Sequence, residues 1–287
     1  MILGKTQNEK TTTYIKLKTM KRILILLCLP ILSFSQTRYL DDVFTNVTIT
    51  SDVQYAENIS ILPAILSGGV NPPALMPILC DVYEPTGDNL TDRPVVILAH
   101  TGSFLPPVIN GQPTGSKTDS SIVQQCMRWA RKGYVAVAMN YRLGWNPTST
   151  DQDTRTATLL QAAYRGIQDA KAMVRYLRKT EDLDGNPYGI DPNKIALGGQ
   201  GTGGYISLGY ATLDTVGDNT PWQEIYLTKF FNLSTMQPYV YPPIFGNYDG
   251  TDLTYLPVPI VDSVGNIIGM DSVPWNIPNW PTYSNEI

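Results

Sequence analysis

The chain of 287 residues contains a single histidine, His100. That scarcity, with no C-x-x-C pair, no H-E-x-x-H and no Cys/His cluster, excludes the usual zinc sites, which gather several nitrogen and sulfur ligands. Charged residues make up only 16% of the chain and no basic stripe is present. Nucleic-acid binding is therefore not expected, because phosphate neutralisation needs clustered Lys and Arg. No apolar run reaches the roughly 20 residues of a membrane span, and there are no internal repeats. The apolar fraction of 43% is ordinary for a globular protein, so a sizeable core is available.

One apolar run has a targeting character. Met20-Lys21-Arg22 precedes Ile23 to Phe34, and Ser33 and Ser35 are small residues just before Gln36. A basic start, a short apolar stretch and a small-residue cleavage site describe a secretory signal peptide over 20–35. Residues 1–19 read as an upstream extension, with translation starting at Met20. An uncleaved anchor is the alternative, disfavoured by span length. Cys28 does not suit a lipoprotein, since the bulky Leu27 precedes it. Cleavage removes six basic residues and one acidic residue, leaving a chain more acidic than the formal −4. The expected location is secreted or periplasmic, with no membrane contact after cleavage. Cys80 and Cys126 remain, and an even count in an oxidising compartment permits one disulfide, two buried free thiols being the alternative.

Along the chain, Val47–Thr50 and Val53–Tyr55 alternate as an early strand, and 61–73 reads as a Gly/Pro-rich loop. Leu79–Tyr83 alternates again. Pro94–Ala99 and Val135–Asn140 are continuous apolar runs, the mark of strands buried on both faces. Helices are expected over Thr118–Lys132, capped by Ser120 or Ser121, over Thr158–Lys179, and over Tyr205–Leu213, the last behind a short strand Ile195–Leu197. In the long helix Arg165 and Asp169 stand one turn apart, the spacing of a solvated ion pair. Strand–helix alternation of this kind predicts a largely parallel α/β sheet. From Asn232 to Ile287 the chain turns rich in Pro, Tyr, Asp and Gly, with one hairpin expected around Val264-Gly265-Asn266 and confined by prolines to an edge. The expected organisation is a core over 40–231 and an incomplete insertion or cap segment over 232–287.

Three motifs then follow in order: RPVVILAHTGSF (93–104), NYRLGW (140–145) and YGIDPNKIALGGQGTGGY (188–205). Together they resemble the strand and oxyanion loop, the next strand turn, and the nucleophile elbow of exported carboxylesterases and feruloyl-esterase-like α/β-hydrolases. The resemblance covers roughly 75–215. It implies an α/β-hydrolase fold, a mostly parallel sheet with flanking helices, and a small-molecule ester or ester-like ligand with no cofactor. It assigns oxyanion donors to Gly102, Ser103 and Thr202, and an elbow to Gly199, Gln200, Gly201, Gly203 and Gly204. His100, Asn140, Tyr141 and Arg142 become structural residues near the site.

At the position where the family carries its serine, this chain has Gly201. Acyl transfer needs a nucleophile beside a base. Thr202 is a weak substitute, because Gln200 would then stand where the tight turn wants a small side chain; Ser207 reads as helix packing. The resemblance further implies later strands carrying an acidic residue and a histidine, and neither is recognisable up to Ile287. The C-terminal part of the sheet therefore reads as missing, as in a truncated version of a longer chain. The expected function is a carboxylic-ester hydrolase lineage, inactive or impaired in this form. The alternative is a pseudo-esterase that binds without turnover.

A third reading takes Gly199, Gly201 and Gly204 as a dinucleotide fingerprint, but no acidic residue ends a second strand about 20 positions on. Asp182–Asn186 lacks the glycine and glutamate of a calcium loop, and Asn247, Asp249 and Asp252 read as turn residues. The sequons at Asn46, Asn58, Asn89 and Asn232 matter only in a glycosylating host.

Overall fold

The structure is a computed structural model that describes residues 38–212, 231–232 and 235–287. The signal peptide and upstream extension lie outside the described residues, as do Cys28 and the end of the first core segment.

Five strands form the central sheet: β1 (Val47–Ser60), β2 (Ala74–Pro85), β3 (Arg93–Ala99), β4 (Val135–Met139) and β5 (Ile190–Gly199). Their spatial order is β1-β2-β4-β3-β5. β1, β2 and β4 pair antiparallel, while β4, β3 and β5 are parallel. The two continuous apolar runs became the adjacent central strands β3 and β4, and every residue of Val-Ala-Val-Ala-Met in β4 is buried. A strand with both faces covered needs no polar alternation.

Helices cover both faces. α1 (Leu62–Leu66) and α2 (Pro107–Asn110) are single turns, the first lying in the segment expected to be a loop. α3 (Ser120–Arg131) supplies Ile122, Cys126 and Ala130 to one face, against Tyr83, Leu98, Ala136 and Ala138. α4 (Gln152–Asp182) and α5 (Thr202–Thr212) cover the other, where Ile167, Val174, Leu177 and Ile206 join Val82, Ile97, Val137 and Met139.

Two helix starts differ from expectation. The residue before α3 is Asp119, not a serine, and its carboxylate turns back to the N–H groups of Gly115 and Ser116 at 3.0 and 3.1 Å. α4 begins six residues early, because Asp151 caps it by accepting from Asp153 N and Thr154 N; that first turn is polar and leaves no apolar period to read.

Cys80 and Cys126 are both free and buried. They belong to clusters on opposite faces of the sheet, so the sheet itself stands between them and no disulfide forms. Burial pushes both thiols well above their usual range.

After short strands β6 (Phe231–Asn232) and β7 (Gln237–Pro238) and the turn α6 (Pro242–Phe245) comes the expected hairpin, β8 (Thr254–Val261) with β9 (Ile267–Asn276). The segment beyond it reaches the outer edge of β1. There the Asn279 carboxamide bonds both main-chain groups of Glu57, at 3.0 and 2.9 Å, and the Trp280 indole donates to Tyr55 O at 2.8 Å. Arg175 of α4 holds the carbonyl of Asn279 at 2.8 Å.

Candidate active site

The site lies where β3 and β5, neighbours in the sheet, both end. β3 runs into the loop His100–Phe104, and β5 runs into the turn Gln200–Gly201 that opens α5.

The His100 ring is fully buried and stacks on Tyr141, with centroids 4.4 Å apart. Its Nδ1 lies 2.6 Å from Thr101 O. A carbonyl only accepts, so Nδ1 carries the proton and Nε2 keeps its lone pair. That Nε2 is buried without a partner among the described residues. Burial lowers the ring's pKa, against a smaller opposing pull from the Thr101 hydrogen bond and the charge of Asp119. The ring is a neutral wedge.

Tyr141 ties the two chain ends together. Its hydroxyl donates to His100 O at 2.9 Å and meets Thr202 Oγ1 at 3.0 Å. The phenol's one proton is used on the carbonyl, so the threonine hydroxyl is the donor to Tyr141. Burial raises the phenol's pKa, and a phenol held neutral is no base for Thr202.

The loop is strained and clamped. Ser103 and Phe104 are consecutive left-handed residues, each at φ +57°, a conformation that costs of order 1 kcal/mol or more without glycine. The Asn110 carboxamide clamps the loop, its two N–H donors shared among Gly102 O, Leu105 O and Thr114 O at 3.1, 3.0 and 2.7 Å. Trp145 donates its indole N–H to Ser103 O at 2.7 Å, and Gly144 N bonds Phe104 O at 2.8 Å. Gly102 approaches so closely that a β-carbon there would lie 2.5 Å from Gly115 Cα. Asn110 and Gly115 carry no motif signal; Trp145 closes the second motif, but its indole contact was not legible.

In the elbow Gly201 adopts φ +56°, the left-handed turn that a strand-to-helix elbow imposes. A β-carbon on Gly203 would strike Ala99 O, and one on Gly199 would strike Gly203; Gly204 lies one step beyond in α5. Gln200 N bonds Ala99 O at 3.2 Å, and Gln200 Oε1 accepts from Ser121 Oγ at 2.6 Å. A β-carbon on Gly201 itself would press on the side chain of Thr101. The loop that follows β3 and the turn that opens α5 therefore lie side by side, Thr101 standing against Gly201 and Tyr141 bridging His100 O to Thr202. Ser207 bonds Gly203 O at 2.9 Å inside α5.

Asn140 and Arg142 support the site from below. Asn140 Oδ1 accepts from Lys117 N, and its carbonyl accepts from Tyr55 Oη, both at 2.7 Å. Arg142 corrects the reading of the long helix. Arg165 and Asp169 are both buried and not a solvated pair. Asp169 instead takes Arg142 N at 2.7 Å and Arg142 Nε at 2.9 Å, and Arg165 turns to Gly144 O at 2.6 Å. Burial pushes the Asp169 carboxyl up, against Arg142, which pulls it down. Burial and the neighbouring Arg142 charge push Arg165 down.

Among the described residues no group of three or more His, Cys, Asp or Glu could hold a metal ion, and no helix is long and apolar enough to cross a membrane.

The BD-FAE family model matches residues 80–257. A search of curated proteins finds no match. Among solved structures, esterase 2 of Thermogutta terrifontis with propionate bound is 21% identical, with a TM-score of 0.35 over 52% of this chain and 44% of that one. The same esterase phosphoramylated by tabun gives 22%, 0.34, 47% and 41%. The hyperthermophilic esterase of the archaeon Pyrobaculum calidifontis gives 20%, 0.34, 68% and 45%. The chain spans less than half the length of each of these esterases.

Proposed function

This chain belongs to the BD-FAE family of carboxylic-ester hydrolases with the α/β-hydrolase fold, and on that premise we propose that it binds a small-molecule ester at its elbow without cleaving it. One observation carries the reading. The loop of Gly102 and Ser103 is held in its strained form by Asn110 and Trp145, while the elbow it serves presents Gly201 with no side chain to attack a carbonyl. Holding a strained loop is worthwhile where it recognises a carbonyl oxygen. A nucleophile also needs a base, and the chain's one imidazole is committed to Thr101 O and to its stack on Tyr141. On sequence grounds, the Met20–Ser35 leader supports export.

The test uses p-nitrophenyl butyrate. Saturable binding without release of p-nitrophenolate above the rate in buffer is the expected result. Release that disappears in Thr202→Ala would overturn the reading and make Thr202 the nucleophile. Mass spectrometry of the exported protein checks the leader: a mature chain starting at Gln36 is expected.

A further inference from the structure

The elbow has an unusual residue on each side, and the two face each other. A β-carbon on Gly201 would stand against the Thr101 hydroxyl, well inside contact, and 2.9 Å from Thr101 Cβ. Rotation about χ1 of Thr101 swings the hydroxyl to another staggered position, but it leaves the Thr101 β-carbon in place. Side-chain rotation alone therefore does not clear the space.

Neither backbone is free to withdraw. On the Gly201 side, Gln200 N is bonded to Ala99 O and Gly203 lies against Ala99 O and His100 O. On the Thr101 side, the carbonyl of Thr101 holds His100 Nδ1, and Gly102 is packed on Gly115 and bonded to Asn110. Close-packed interiors tolerate overfilling poorly, at a cost of about 1–3 kcal/mol for a forced methylene.

We propose that Thr101 occupies the space a side chain at position 201 requires, so that 101 and 201 form one volume-coupled pair in which only one member carries a side chain. The elbow admits a nucleophile only when position 101 is made small. This rests on the reading above that the elbow holds no nucleophile, and it adds that restoring a serine at 201 alone does not rebuild the site.

The experiment is a thermal-denaturation cycle. Gly201→Ala is made in three backgrounds: wild type, Thr101→Ala and Thr101→Gly. The left-handed φ at 201 penalises any β-carbon equally in all three, so that strain cancels and the coupling remains. The drop in Tm caused by Gly201→Ala is expected to be largest with Thr101, smaller with Thr101→Ala, whose β-carbon remains, and smallest with Thr101→Gly. The spread between the extremes is expected to be about 4 °C or more. If Gly201→Ala fails to fold alone but folds with Thr101→Gly, the pair is supported. Equal drops in all backgrounds, or failure to fold in all of them, would overturn it. No ester enters the cycle, so an additive result refutes the pair and leaves the binding reading standing. Ester turnover by the wild type does the reverse.

Discussion

Asp169 and Arg142 meet on the buried side of the sheet, the carboxylate of α4 receiving both the main-chain N–H and the guanidinium of Arg142. The second guanidinium, Arg165, is buried beside them. Removing the one anion leaves two cations in the core. Asp169→Ala is expected to cost about 3–5 kcal/mol, read as the shift in a urea unfolding transition.

His100 gives the protein a pH dependence assignable to one residue. Its folded pKa lies below the ordinary 6.5, so below that pH the unfolded chain binds a proton that the folded chain refuses. Stability contributed by the neutral ring is complete above the unfolded value and is lost as pH falls from 6.5 toward the folded one. Tm is expected to decline through that window, and the decline to be shallower in His100→Gln. Because the chain has no other histidine, an unchanged slope in the variant would refute the assignment.

Cys80 and Cys126 are free, buried and separated by the sheet. Reductant is expected to leave Tm unchanged. Iodoacetamide is expected to label neither peptide in the native protein and both after denaturation, as peptide mapping would show. A linked Cys80–Cys126 peptide would contradict the fold.

Asn110→Ala removes the donor that reaches three carbonyls around the loop that follows β3. A loss of about 1–3 kcal/mol is expected. Faster amide exchange should be confined to the region around 102–115; uniform acceleration across the sheet would mean that Asn110 supports the whole fold and not this loop.

Much of the architecture was legible in the residues. Pro94–Ala99 and Val135–Asn140 are apolar without alternation, which only a strand covered on both faces tolerates, and they are the two central strands. The late hairpin was legible from its turn residues. Strand order was not, because β2 pairs with β4 and β4 with β3 across long intervening segments, and no local pattern encodes such partners. The ion pair was misread because a four-residue spacing says that two side chains share a helix face, not that the face meets water. The elbow and loop were recognisable as motifs. Thr101 was not singled out, because its importance lies in what it touches, and the glycine it touches is 100 positions away.

The Asn279 carboxamide joins Glu57 from 222 positions along the chain. Bringing two such distant points together from an open coil costs loop-closure entropy, whereas β1 and β2 meet across a short connection. On that ground β1, β2 and the central strands are expected to pair first, and the closing segment to dock once the sheet and α4 have collapsed most of that separation. The fastening at Asn279 is then expected to act as a late latch, its loss raising the unfolding rate more than it lowers the folding rate.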